Sequence, residues 1–167
     1  MRARRALVGA FERGRAQHER CRTFRMSKEE VVLKIEQLMT TGVIAVRDSD
    51  TVSKADHEMR QADIRHLPVI DEGHRVVGIL SNRDLARTLA AHHGTKRVGA
   101  VMTREVLTVR PETPAFRAAE VMRDRKLGAL PVVGEDGVLV GIVTETDFLG
   151  VAANALQGRS GASLIER

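Results

Sequence analysis

The sequence contains no tryptophan and no tyrosine, and its aromatic side chains are four phenylalanines, Phe11, Phe24, Phe116 and Phe148. A platform on which bases stack needs aromatic rings, so nucleic-acid binding by the body of the chain is not expected. Cysteine occurs once, as Cys21, which rules out an internal disulfide framework and fits a reducing, cytoplasmic setting. No apolar run approaches the ~20 residues that span a bilayer, so no membrane contact is expected. No Gly-x-Gly-x-x-Gly or Walker loop is present, and no Ser-His-Asp or Cys-His pair stands in a recognisable context. An enzyme is therefore not expected. His92-His93 comes nearest to a metal motif, but adjacent residues do not face together on a helix and no cysteine cluster supports them. No metal site is expected.

Charge is plentiful but uneven. The formal net charge is +5, yet residues 1–25 hold eight arginines against Glu12 and Glu19, leaving 19 basic and 20 acidic residues in the rest. The basic character belongs to an N-terminal arm. That arm lacks the apolar stretch of a secretory signal, and it has no serine and two glutamates, unlike a transit peptide. Met26-Ser27-Lys28-Glu29-Glu30 reads like a natural start, so residues 1–30 are expected to be a disordered extension or a mis-assigned start.

What the sequence does have is a repeat. Leu67-Pro68-Val69-Ile70 through Gly78-Ile79-Leu80-Ser81-Asn82-Arg83-Asp84 recurs as Leu130-Pro131-Val132-Val133 through Gly141-Ile142-Val143-Thr144-Glu145-Thr146-Asp147. Met39-Thr40 likewise matches Met102-Thr103, and Met59-Arg60 matches Met122-Arg123, all at a spacing of 63 residues with no insertion. A period of this length signals a repeated structural unit. One ~60-residue unit is marginal alone, so the copies are expected to pack together. The expected division is residues 31–93 and 94–156, followed by a frayed tail at 157–167.

Each copy reads strand, helix, strand, strand, helix, an α+β pattern. In the first, Glu29–Leu38 has helical spacing, Val43–Val46 is a strand, and Asp48–Thr51 caps a helix through Val52, Ala55, Met59 and Ala62. Leu67–Ile70 and Val76–Leu80 form a hairpin, and Ser81 opens a helix with Leu85, Leu89 and Ala90. In the second, Val98–Met102 is a short turn of helix and Val106–Val109 a strand. Thr113-Pro114 then starts a helix through Arg117, Val121, Met122 and Arg125, Ala129–Val133 and Val138–Val143 form the hairpin, and Thr144 opens a helix through Phe148, Val151, Ala152 and Ala155. Met39, Met59, Met102 and Met122 recur with the repeat and read as core fillers.

The doubled pattern, Met-Thr before a strand, Leu-Pro-Val, then Gly-Ile-(Leu/Val)-(Ser/Thr)-x-x-Asp, resembles the CBS domain, the cystathionine-β-synthase repeat, over about residues 35–155. Two copies resemble one Bateman module, a pseudo-two-fold pair. The resemblance implies two clefts between the repeats that take adenosine derivatives: AMP, ADP, ATP, S-adenosylmethionine or NAD. It also implies a homodimer that regulates an attached or partner protein, with no cofactor required. By resemblance, Ser81 and Thr144 are phosphate-side contacts and Asp84 and Asp147 ribose contacts. Val43, Ile44, Ile64, Leu67 and Pro68 would wall one cleft for adenine, and Val106, Leu107, Leu127, Leu130 and Pro131 the other.

The chemistry suits these assignments. A hydroxyl where a strand meets a helix stands beside unpaired amides and a dipole that favour an anion, and a carboxylate one turn on can accept two ribose hydroxyls. Arg83, with Arg65 and His66 ahead of Pro68, would give a phosphate cationic partners, whereas Glu145 and Thr146 add a negative charge and no positive one. Tighter polyphosphate binding is therefore expected beside Asp84. The same Ser/Thr-x-x-Asp spacing is also a helix capping box, which would leave the repeats as a ligand-free dimerising scaffold. A third reading has the Arg-rich arm binding nucleic acid.

Overall fold

The computed structural model describes residues 32–91 and 94–158. Cys21, the arginine-rich arm, Glu29–Val31, His92-His93 and residues 159–167 lie outside them. The first repeat contains β1 (Val46–Arg47), α1 (Val52–Gln61), β2 (His66–Ile70), β3 (Val76–Ser81) and α2 (Asn82–Ala90). The second contains α3 (Ala115–Arg125), β4 (Ala129–Val133), β5 (Leu139–Thr144) and α4 (Glu145–Leu156). The architecture is α+β, two small sheets with helices, as the pattern of the sequence implies.

The hairpins carry the correspondence most closely. β2 pairs antiparallel with β3, His66 opposite Ser81, and β4 with β5, Ala129 opposite Thr144. β1 runs parallel to β2, Val46 opposite Val69. Its counterpart in the second repeat is a single parallel bridge, Val109 to Val132, so the strands expected over Val43–Val46 and Val106–Val109 shrink to their last residues. Pro131 shows why proline is tolerated within β4. Its carbonyl accepts from Val109 N–H at 3.1 Å, so its nitrogen faces the edge where that short neighbour begins and costs no bond to β5.

Helix starts follow local chemistry. Thr51 Oγ1 accepts from Lys54 N–H at 3.2 Å and caps α1. Pro114, rather than Thr113, is the capping residue of α3. Thr113 Oγ1 instead accepts from Arg110 N–H at 3.0 Å, closing the turn ahead of it. α3 buries Ala115, Ala118 and Met122, and Val121 faces outward.

The largest departure from expectation is how the leading segments are used. Glu29–Leu38 has helical spacing, but among its described residues only Ile35–Gln37 form a 3-10 turn. The Ile35 and Glu36 amides donate at 2.9 Å to Thr113 O and Pro111 O of the second repeat, which removes them from an i−4 ladder. Thr40 and Ile142 then exchange backbone hydrogen bonds at 2.9 and 3.0 Å, and Thr103 and Ile79 do the same at 2.9 Å. Each repeat thus lends its opening segment to the other. Ile35 is buried among Ala115, Ala118, Met122, Leu130, Val132 and Val143, with Met39 packed against them. Val98 and Met102 are buried with Val52, Ala55, Met59, Leu67, Val69 and Leu80. The sequence repeat and the packing unit are offset by one segment. Apolar burial, at ~25 cal/mol per Å2, therefore ties the two halves together.

Candidate functional site

The turns of the two hairpins join across the pair, with Val76 N–H donating to Gly137 O at 3.2 Å and Leu139 N–H to His74 O at 3.0 Å. At the far end of the hairpins, where β3 runs into α2 and β5 into α4, the repeats part and leave a groove of about 950 Å3. Specific small-molecule sites occupy ~300–1,000 Å3.

Both helix starts carry a closed box. Asp84 Oδ2 accepts from Ser81 N–H at 3.1 Å and from Ser81 Oγ at 2.5 Å, while Ser81 Oγ accepts from Asp84 N–H at 3.4 Å. Asp147 Oδ2 accepts from Thr144 N–H at 2.7 Å and from Thr144 Oγ1 at 2.8 Å. The capping geometry weighed from sequence is present at both positions. It engages one oxygen of each carboxylate, and Oδ1 accepts no side-chain or backbone hydrogen bond among the described residues.

Ser81, Arg83, Asp84, Thr144 and Thr146 line the one groove together, with Ile64, Arg65, His66, Val106, Leu107 and Leu127. Asp147 is half-buried and does not line it. Pro68 and Pro131 are buried in the strands below, and Val43 and Ile44 are not part of its wall. The expected division of walls by repeat does not hold for this groove, which takes both motifs. The crossing connection is the reason, since Thr103 is bonded to Ile79 of β3 and Val106-Leu107 follow directly.

Sequence reasoning missed Asp63, Asn82, Glu105, Arg125, Lys126 and Gly128, all of which line the groove. The repeat carried a signal for two of them, because Asp63 and Lys126 are 63 residues apart. Both end a helix in the left-handed region, φ 52° and 55°. Ile64 N–H reaches back to Met59 O, and Leu127 N–H to Met122 O, each at 2.9 Å. This is the Schellman bond, and it places Ile64 and Leu127 on the groove wall.

Electrostatically the groove is balanced, with Arg65, Arg83, Arg125 and Lys126 against Asp63, Asp84, Glu105 and Glu145. None of the four cations lies within 4.0 Å of a carboxylate among the described residues. His66 crosses the seam to the backbone of Gly128, where an added Cβ would stand 2.8 Å from its Cε1 and 2.9 Å from its Nε2. Burial and then Arg65 hold this imidazole below its ordinary pKa, against the opposing pull of Glu145 and Asp84. Among the described residues no group of His, Cys, Asp and Glu is arranged to hold a metal ion.

The CBS domain family model matches residues 35–91 and 98–154. The chain belongs to the CBS domain family. Its fold is similar to that of CBSX2 of Arabidopsis thaliana, solved in complex with AMP, at 32% identity and a TM-score of 0.64 over 76% of this chain and 98% of that one. It is also similar to the CBS domain pair of protein MJ0100, solved with 5-methylthioadenosine and S-adenosyl-L-methionine, at 26% identity and a TM-score of 0.68 over 77% and 99%. Inosine-5'-monophosphate dehydrogenase of Methanocaldococcus jannaschii is 33% identical over 120 residues, 72% of this chain and 24% of the enzyme. The chain spans about a quarter of the length of the first curated relatives it matches, and enzymes among them match through their CBS domains. The described residues form a pair of CBS domains. No described helix is long and apolar enough to cross a membrane.

Proposed function

We propose that this CBS pair is a sensor of adenosine nucleotides that binds its ligand in the groove at the seam. One observation carries the reading: the groove gathers Ser81 and Asp84 of the first motif with Thr144 of the second, and among the described residues one Asp84 oxygen accepts no hydrogen bond and the groove's four cations have no carboxylate within 4.0 Å. Ribose hydroxyls suit Oδ1 of Asp84, phosphate suits Ser81 with Arg65 and Arg83, and adenine suits the apolar wall of Ile64, Val106, Leu107 and Leu127. The two neighbours solved with AMP and with S-adenosyl-L-methionine support this ligand class. AMP, ADP, ATP, S-adenosylmethionine and NAD all fall within it.

The sensor works in the cytoplasm as a homodimer and reports occupancy to a protein partner. A ligand can do this only by favouring one arrangement of the repeats over another, and the seam, where segments are exchanged, is where two arrangements would differ. Arg125 and Lys126 narrow the asymmetry foreseen from the motifs alone, since cations of both repeats line the groove.

A thermal-shift panel of the five ligands tests the proposal. A true ligand at ~100 Kd adds ~2.7 kcal/mol and raises Tm clearly. A flat response to all five would favour the second reading, a ligand-free scaffold, for which the already closed capping boxes are the specific support.

A further inference from the structure

His66 has no counterpart in the second repeat, where the position is Ala129. Its imidazole leaves β2, crosses the seam and rests on Gly128, the residue before β4, whose carbonyl accepts from the Glu145 N–H at the start of α4 at 3.2 Å, so it sits between the two half-sites rather than within one. Arg65 faces it from its own segment, Asp84 from α2 and Glu145 from α4. Arg83, Arg125 and Lys126 add positive charge to the same groove, and Asp63 and Glu105 negative charge. We propose that His66 is the residue by which the groove distinguishes phosphorylated from unphosphorylated adenosine, taking up a proton when a phosphate binds.

The inference rests on the groove being the nucleotide site, and its physics is simple. Half-burial, and then Arg65, hold the empty-site imidazole below its ordinary pKa. A phosphate in the groove adds one to two negative charges, which favour the imidazolium. Linkage is reciprocal, so a ligand that favours protonated His66 is bound more tightly as protons become available. Each unit by which the imidazole pKa rises is worth about tenfold in affinity. A neutral nucleoside adds no charge and gains nothing. Glutamine at position 66 keeps a polar side chain against Gly128 but cannot take up the proton.

The test is calorimetric titration of AMP and of adenosine into wild type and His66→Gln at pH 6 and pH 8. The phosphate of AMP titrates in the same range, but it does so equally for both proteins and cancels in the comparison. The expected result is that the pH 6 to pH 8 ratio of AMP affinities is about three- to tenfold larger in wild type than in His66→Gln, with no such difference for adenosine. Equal ratios in the two proteins, with AMP bound by both, overturn the role of His66 and leave the nucleotide site standing. Absence of binding of either compound to wild type overturns both. A readout needing no variant is the NMR titration of the His66 imidazole in wild type. Its midpoint must rise by about one unit on saturation with AMP, and an unmoved midpoint contradicts the proposal.

Discussion

Met102 of the second repeat lies against Gly78 of the first so closely that a β-carbon there would overlap its sulfur, and Met39 stands in the same relation to Gly141. The two contacts are the pseudo-two-fold images of one another, and they lock each leading segment onto the other repeat's hairpin. Gly141→Ala would place its Cβ 2.7 Å from Met39 Sδ and 3.2 Å from Thr40 O. We expect it to lower unfolding free energy by about 1–3 kcal/mol, read from urea midpoints. In a Met39→Ala background the same substitution should cost clearly less, because residues in contact are coupled.

The carboxylates of Asp84 and Asp147 serve the helix starts as well as any ligand. Asp84→Ala and Asp147→Ala should each cost about 1 kcal/mol of stability from the lost box. Asp84→Ala should in addition weaken AMP binding by tenfold or more, whereas Asp147, off the groove wall, should matter less. Stability curves and titrations on the two variants separate the roles.

Lys126 occupies the left-handed region without being glycine, which costs about 1–2 kcal/mol. Lys126→Gly should therefore stabilise the free protein by up to about 1 kcal/mol, and it should weaken ATP more than adenosine because a groove cation is gone. Thermal melts and titrations of the two ligands check both halves.

Two titrating groups set opposite ends of the pH dependence in the absence of ligand. His66 is held below its ordinary value of 6.5, so the unfolded chain binds its proton more readily. Its stability contribution is complete above about pH 6.5 and declines as pH falls toward the folded value. For Asp50, burial would raise the pKa from 3.8, but the Arg47 N–H and the Lys54 ammonium, each at 2.9 Å, outweigh it and the net shift is downward. Its contribution is present above about pH 4 and is lost as pH falls through the folded value. Urea midpoints from pH 3 to 8 should flatten in the upper window for His66→Gln and in the lower for Asp50→Asn.

Much of the fold was legible because the repeat states each element twice. The hairpins, the capping residues Ser81 and Thr144 and the core methionines Met59, Met102 and Met122 all stand where periodicity and spacing put them. The exchange of leading segments was not legible. Helical spacing at Ile35 and Leu38 reports an apolar face but not which repeat buries it, and the amides of Ile35 and Glu36 are claimed by loop carbonyls 75 or more positions away. The groove suffered the same ambiguity. Motif residues Ser81, Arg83 and Asp84 could be named, but Arg125, Lys126 and Gly128 reach it through packing that no local pattern encodes.

The central claim is that a nucleotide binds where the two helix starts face the seam. Calorimetric titration of AMP into wild type and into an Asp84→Ala, Asp147→Ala double variant, with folding verified by circular dichroism, tests it most directly. The account predicts saturable binding to wild type and at least a tenfold loss in the folded double variant. Equal affinity in both proteins, or none in wild type, would contradict it.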